Sequence, residues 1–202
     1  MAINGSAQQW ANWSGNLVYE TPTNGADYYF RPNGLTDLQS VVAQAAKLGI
    51  TVRASGQRHS QPPLVIDDNR GVVLPTLTTY LVDMSCYADL GAGGNERMVL
   101  GPGPNQVTVN PGVKEDELDA FLTRNNLMFE TVTAGGFFSI GGMTAGDVHG
   151  GTVDAPIFAE TASAFTIVGP TAPQPSSTTN RKMPTATRCW RSPACRWAHW
   201  AS

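Results

Sequence analysis

Val52-Arg53-Ala54-Ser55-Gly56-Gln57-Arg58-His59-Ser60 is the stretch on which the reading of this chain turns. A β-like run from Ile50 to Ala54 ends in a small turn at Ser55-Gly56, and Gln57, Arg58, His59 and Ser60 then crowd donors together. Glycine lets the backbone approach a ligand closely, and successive amides in a turn form a concavity that favours anions. The stretch therefore reads as a strand-to-turn junction able to hold a phosphate, with one imidazole beside whatever carries it. Taken alone, it reads first as a polar loop with a surface histidine. Its surroundings decide between the two.

Upstream lies a helix. Residues 7–30 form an aromatic-rich opening strand and loop, and Arg31-Pro32 begins an extended link, because proline pushes its predecessor away from the helical region. Thr36-Asp37-Leu38-Gln39 reads as a capping box, in which the Thr36 hydroxyl and the Gln39 amide satisfy orphan amides reciprocally. Leu38, Val41, Val42, Ala45 and Leu48 fall at helical spacing, and Gly49 closes the helix after Lys47. A β–α–β unit thus delivers the His59 loop, and ligands bind where the strands of such units end.

Downstream, Gln61-Pro62-Pro63 stops the loop and Leu64-Val65-Ile66 is a short strand or edge. Strand-like runs follow at Thr79–Met84, Arg97–Gly101 and Gln106–Val109, separated by turns rich in Gly, Pro and Asn. A second helix starts after Pro111-Gly112. Glu115, Asp116 and Glu117 complement its dipole, and Leu118, Phe121 and Leu122 form its apolar stripe up to Asn125-Asn126. Leu127–Val132 and Ala164–Gly169 read as further strands.

Between those two runs, residues 134–151 hold seven glycines in 18 positions. With no continuous apolar face, the segment does not read as a core helix. Small residues in series let a backbone lie against a large planar or extended ligand. Flexible linkers rarely carry Phe137-Phe138, Ile140 and Asp147-Val148-His149.

Composition narrows the classes. The 202 residues suffice for a sizeable core or two small lobes, and 21 Gly with 14 Pro indicate many turns and short strands. A net charge of −3 without a basic patch argues against nucleic acid as partner. No apolar run approaches the ~20 residues a membrane span needs, and Met1–Ser6 lacks a signal-peptide pattern. A cytoplasmic protein is the default expectation. Cys86, Cys189 and Cys195 show neither metal-ligand spacing nor a disulfide framework. There is no nucleophile elbow, no dinucleotide fingerprint after a strand and no P-loop. Asp147 and His149 lack further ligands for a metal.

Asn12-Trp13-Ser14-Gly15-Asn16, Arg31-Pro32, the helix up to Gly49, Val52–Ser60 and Ser139–Gly150 occur here in one order. Together they resemble the vanillyl-alcohol-oxidase family, whose FAD domain is also called the p-cresol-methylhydroxylase type. The alditol and sugar-lactone oxidases, and the flavin cholesterol oxidases, look nearest. The resemblance covers residues ~10–170. It implies an α+β fold of two α/β-type lobes around FAD, with subdomains of about 1–75 and 76–170, followed by a substrate domain. It implies that Ser55, Gly56, Gln57, Arg58, His59 and Ser60 wrap the FAD pyrophosphate. The family's histidine, matched by His59, is often bonded covalently to the flavin C8-methyl. Where Arg58 stands the family usually has Gly, which leaves a noncovalent flavin open. By the same resemblance Ser139, Gly141, Gly142, Thr144, Ala145, Gly146, His149 and Gly150 line the rest of the cofactor, and Ile167 lies by the adenine.

The function so implied is an FAD-linked oxidase that takes hydride from an alcohol, polyol, sugar lactone or sterol onto flavin N5, with O2 as acceptor. A flavin-binding fragment without turnover, or an α/β interaction module, are the competing expectations. The catalytic base is not identified. Acidic residues end at Glu160, and from Thr171 onward Pro173, Pro175, Pro184 and Pro193 interrupt every periodic window. Residues 171–202 are therefore expected to be a disordered, non-native-looking tail, and the chain incomplete and catalytically silent.

Overall fold

The structure, a computed structural model, describes residues 5–6, 10–19, 28–61, 72–73, 79–151, 153–169 and 178–179. The chain divides into two compact units, Met1–Tyr87 with Val168–Gln174 and Ala88–Ile167 with Pro175–Ser202. The first carries β1 (Gly5–Ser6), β2 (Trp10–Ala11), β3 (Val18–Tyr19), β4 (Tyr29–Phe30), α1 (Leu35–Leu48), β5 (Thr51–Ser55), β6 (Val72–Val73) and β7 (Thr79–Asp83). The second carries β8 (Met98–Leu100), β9 (Val107–Val109), α2 (Glu115–Arg124), α3 (Ile140–Ala145), β10 (Phe165–Thr166) and β11 (Thr178–Thr179).

In the first unit four strands lie in the order β1-β4-β7-β5, with β4 and β5 both parallel to β7 and β1 antiparallel at the edge. The β–α–β unit is present, with β7 inserted between the two strands that α1 connects. All five residues of β7 are buried, as befits a parallel strand covered on both faces. Tyr80 and Val82 pack with Phe30, Val41 and Ala45, while Leu81 joins Trp10, Leu17, Tyr28 and Tyr29. Because β7 belongs to this sheet, the division of the chain comes after Tyr87 rather than near residue 75. A smaller sheet, β2-β3-β6, pairs β2 antiparallel and β6 parallel to β3.

The capping box at Thr36 is not formed. The helix starts earlier, with Gly34 as N-cap and no side-chain cap bond. Thr36 is thus inside the first turn, where its carbonyl accepts from Ser40 Oγ at 2.8 Å. Asp37 instead reaches back, accepting the Asn33 amide at 3.2 Å. The other end is as expected: Gly49 adopts φ 68 and closes the helix, a left-handed conformation that costs glycine little. Leu48 is 57% exposed, so the buried stripe rests on Val41 and Ala45.

The second unit has its own core, in which Val107, Val109, Leu118, Leu122, Ile140 and Phe158 are fully or almost fully buried. Two expectations are corrected here. Leu127–Val132 is not a strand. Leu127 and Phe129 are buried while Met128 and Val132 are about half exposed, an alternation held by packing and by the Thr131 hydroxyl on the Pro156 carbonyl at 2.7 Å. The glycine-rich segment does contain a helix, α3, whose buried Ile140 and Met143 supply the short apolar face that six residues need. Of Ala164–Gly169 only β10 is strand, paired antiparallel with β11. Leu64–Ile66 and the rest of residues 171–202 lie outside the described residues. Among the described residues no helix is long and apolar enough to cross a membrane.

Candidate cofactor site

Three parallel strands of the first unit end together. β4 runs into Arg31, β5 into Gly56–Ser60 and β7 into Asp83–Ser85, in a register that sets Phe30 beside Val82 and Ser55 beside Asp83. In open α/β sheets ligands gather outside such carboxyl ends. A cavity of about 310 Å³ lies there, lined by Tyr29, Arg31, Asp83, Ser85 and the Gly56–Arg58 turn.

The loop itself is pinned from behind. Ser55 is buried, and its hydroxyl accepts from the Trp10 indole at 3.1 Å. The Trp13 amide donates to the Arg58 carbonyl at 2.8 Å, and the Trp13 ring stacks on the His59 imidazole, 4.8 Å between centroids and 22° between planes. Buried Asn12 holds the β2–β3 turn: its Oδ1 accepts the Leu17 amide at 3.0 Å, and its Nδ2 donates to Asn16 at 2.7 Å and to Gln61 at 3.4 Å. The Asn12–Asn16 motif therefore acts as a clamp on both sides of His59. Arg58 takes φ 63, a region that non-glycine residues enter rarely. Its guanidinium donates to Tyr29 Oη at 3.3 Å and stands 6.0 Å above the Trp10 ring. Gln57 and Ser60 complete the loop, Ser60 exposed and Gln57 half-buried.

Tyr29 also donates to Asp83, whose other oxygen accepts the Ser85 amide at 2.9 Å. Arg31 stands 3.6 Å from Asp83 and donates to Cys86 Sγ at 2.9 Å. Burial first, then the hydrogen bond and charge of Asp83, push the Tyr29 hydroxyl up to about 12, against a smaller opposing effect of Arg58. The phenol therefore stays protonated at neutral pH and works as a donor. Since its folded value lies above that of an unfolded phenol, the contribution is complete below pH ~10 and is lost as pH rises toward 12. That loss is expected to be on the order of 1–2 kcal/mol once solvent screening is allowed for, and Tyr29→Phe should remove this limb. Chemical denaturation at stepped alkaline pH checks it: parallel pH profiles for wild type and variant would contradict the assignment.

The remaining predicted residues belong to the second unit. Ser139 is buried and precedes α3, whose first two amides donate to the carbonyls of Val113 and Pro111, at 2.8 and 2.9 Å. A Cβ on Gly141 would lie 2.7 Å from Pro111 Cβ, so this glycine is required by packing. On Gly142 it would meet only Ser139 Oγ, at 3.1 Å. Thr144 bonds back to the Ile140 carbonyl at 2.9 Å. Gly142, Ala145, Gly146 and His149 are exposed, and His149 Nδ1 lies 2.9 Å from the Gly150 carbonyl oxygen. Gly150 is half-buried beneath Val132, and Ile167 is 61% exposed just beyond β10. Of the expected residues, Gly56, Gln57 and Arg58 line the cavity of the first unit, Ser55, His59 and Ser60 are on the same loop but not in that lining, and Ser139–Gly150 form a turn and short helix of the second unit.

Sequence reasoning overlooked Tyr29, Arg31, Asp83 and Ser85 as lining of this cavity, and Trp10 as the support behind its loop. One signal was available: Asp83 is a carboxylate closing an otherwise apolar strand, at the end where parallel sheets bind ligands.

The sequence model of a family described as an FAD binding domain matches residues 26–171. This chain belongs to that family, the FAD-binding domain of the p-cresol-methylhydroxylase-type oxidoreductases, and the cofactor of the family is FAD. A histidine-to-alanine variant of cholesterol oxidase from Brevibacterium sterolicum matches with a TM-score of 0.57 at 19% identity, over 74% of this chain and 25% of that one. A solvent-stable cholesterol oxidase gives 0.58 at 22%, over 73% and 25%. An alkyldihydroxyacetonephosphate synthase gives 0.55 at 17%, over 70% and 24%. These likenesses establish the fold. The chain spans about a quarter of the length of those proteins. No curated protein matches the sequence.

Proposed function

We propose that this chain holds FAD by its diphosphate at the ends of β4, β5 and β7, within a protein that oxidises an alcohol, polyol, sugar lactone or sterol with O2 as acceptor. The observation that carries the reading is the convergence of three parallel strand ends on a cavity bearing two guanidinia, Arg31 and Arg58. The donor set suits the cofactor: the Gly56 turn admits a close approach, and the cationic side chains answer the phosphate charge. Two of the matched structures are cholesterol oxidases, which favours an alcohol donor. When bound, the flavin supplies the hydride acceptor, and the protein supplies binding, orientation and electrostatics.

In this reading Asp83 fixes Arg31 and Tyr29, and Tyr29 in turn steadies Arg58. His59, with its ring plane set by Trp13, is the site of covalent attachment. Ser139, Gly141, Gly142, Thr144, Ala145, Gly146, His149, Gly150 and Ile167 are proposed to line the remainder of the cofactor. A second reading is that the chain holds flavin without turnover. Flavin-loaded protein incubated with polyols, aldonolactones and sterols separates the two. Substrate-dependent peroxide above the level of free FAD supports oxidase activity, and its absence with flavin bound supports the second reading.

A further inference from the structure

We propose that Glu115 is a positioning residue for the cofactor: its buried carboxylate latches the glycine-rich segment to the first turn of α2 and holds Ser139–Gly150 in the shape that meets FAD. The inference rests on the reading that this segment lines the cofactor, and it adds a residue outside the segment that fixes its conformation. Three observations meet on Glu115.

The first is burial. Glu115 is 1% exposed, and a carboxylate removed from water is costly unless hydrogen bonds satisfy it. Both of its oxygens are engaged by one residue, 18 positions on: Oε1 accepts the Thr133 amide at 2.7 Å and Oε2 accepts the Thr133 hydroxyl. An acidic side chain in a first helical turn complements the dipole equally well from the surface, as exposed Asp116 does. Helix stability alone therefore gives no reason to bury Glu115.

The second is the backbone of the same turn. Orphan amides at a helix start need acceptors, and Lys114, the N-cap, makes no side-chain cap bond. The segment after Thr133 provides them instead. The Glu115 amide donates to the Phe138 carbonyl at 3.0 Å, and the Asp116 amide to the Gly136 carbonyl at 2.7 Å. Lys114 and Ser139 add an antiparallel bridge. Thr133–Ser139 thus forms a strap across the start of α2, and Glu115 holds it by amide and carboxylate together.

The third is where Thr133 stands. Forward along the chain, the strap ends at Ser139, which opens α3. Backward lies Val132, and the far end of the segment rests on it: a Cβ on Gly150 would be 3.0 Å from the Val132 carbonyl oxygen and 3.3 Å from Thr131 Cγ2. One anchored residue therefore sets the entry and the exit of Ser139–Gly150. Glycine-rich chain loses much entropy on ordering, so a segment ordered in advance binds without that cost.

The test is noncovalent FAD titration of the full chain, read by flavin fluorescence, beside thermal unfolding and amide hydrogen exchange. Glu115→Gln keeps the size but meets two donors with one acceptor, so FAD should weaken ~10-fold or more. Exchange at Ser139–Gly150 should quicken ~10-fold or more while β8 and β9 keep wild-type protection. Thr133→Val leaves the amide bond in place and should weaken FAD ~3–10-fold, which keeps the test open should Glu115→Gln not fold. Thr133→Ser, which keeps the hydroxyl, should stay within about twofold of wild type. Leu122→Ala thins the same core at the far end of α2; it should melt lower, yet while folded bind FAD within about threefold of wild type. An affinity loss in Leu122→Ala as large as in Glu115→Gln would overturn the proposal, since loosening of the whole unit would then account for both. Equal affinity in wild type, Glu115→Gln and Thr133→Val would overturn the latch and leave FAD binding standing. Faster exchange with unchanged affinity would also overturn it, because the segment would then not meet the cofactor. Folded wild type that binds no FAD would overturn the latch and the functional reading together.

Discussion

Acid-precipitated His59→Ala protein is expected to be colourless, with its flavin left in the supernatant, whereas wild type should give a yellow pellet that fluoresces on a denaturing gel. The expectation follows from how rigidly the imidazole is presented. The residue before it is in a left-handed conformation, its ring lies against Trp13, and the Trp13 backbone is tied to the same loop. A ring held in one plane offers its nitrogens in one direction, which is the preorganisation that bond formation requires. Trp13→Phe should preserve attachment, and Trp13→Ala should lower the attached fraction. Noncovalent affinity in His59→Ala should remain, because the proposed phosphate contacts come from other residues. Wild-type flavin that washes out entirely in acid would remove the tether and leave noncovalent binding in place.

The second large effect separates two adjacent glycines. Gly141→Val is expected to destabilise the second unit by ~3 kcal/mol or more, in the range of severe overpacking. Its Cβ would lie 2.7 Å from Pro111 Cβ and 3.2 Å from the Pro111 carbonyl oxygen. That same carbonyl accepts the Gly141 amide at 2.9 Å, so the helix cannot retreat without breaking that bond. The Cβ of Gly142→Val meets only a serine hydroxyl, which can rotate away, and the position is exposed, so its stability should stay within about 1 kcal/mol of wild type. If the exposed side of α3 lines the cofactor, Gly142→Val should nevertheless lose FAD. Urea melts give the first contrast and flavin titration the second. Normal FAD binding by a folded Gly142→Val protein would show that this surface does not face the cofactor.

Local features of the fold were legible because local physics sets them. The apolar run and length of Thr79–Met84, the acidic first turn of α2 and the left-handed stop at Gly49 each follow from a few neighbouring residues. The His59 loop was legible for the same reason, as glycine and donors directly after a strand. Pairings at long range were not. Nothing in Tyr28-Tyr29 says which phenol reaches Asp83, 54 positions away, and no periodicity places β7 between β4 and β5. The ring stack of Trp13 on His59 likewise exists only once the β2–β3 turn is folded against the loop. Around α3 the misreading came from composition, since two adjacent glycines in a six-residue helix mask the two apolar residues that bury it. The capping box failed by register alone, because a helix that begins at Leu35 moves Thr36 inside.

The central claim is that the chain binds FAD through the loop at the end of β5, and one measurement bears on it most directly. The full 202-residue chain is mixed with excess FAD, desalted, and its flavin absorbance compared with its protein absorbance, with and without competing ADP. The account predicts flavin eluting with the protein at about one per chain, and less of it when ADP is present before loading. FAD eluting wholly with the small molecules, from protein shown to be folded by its melting transition, would contradict it.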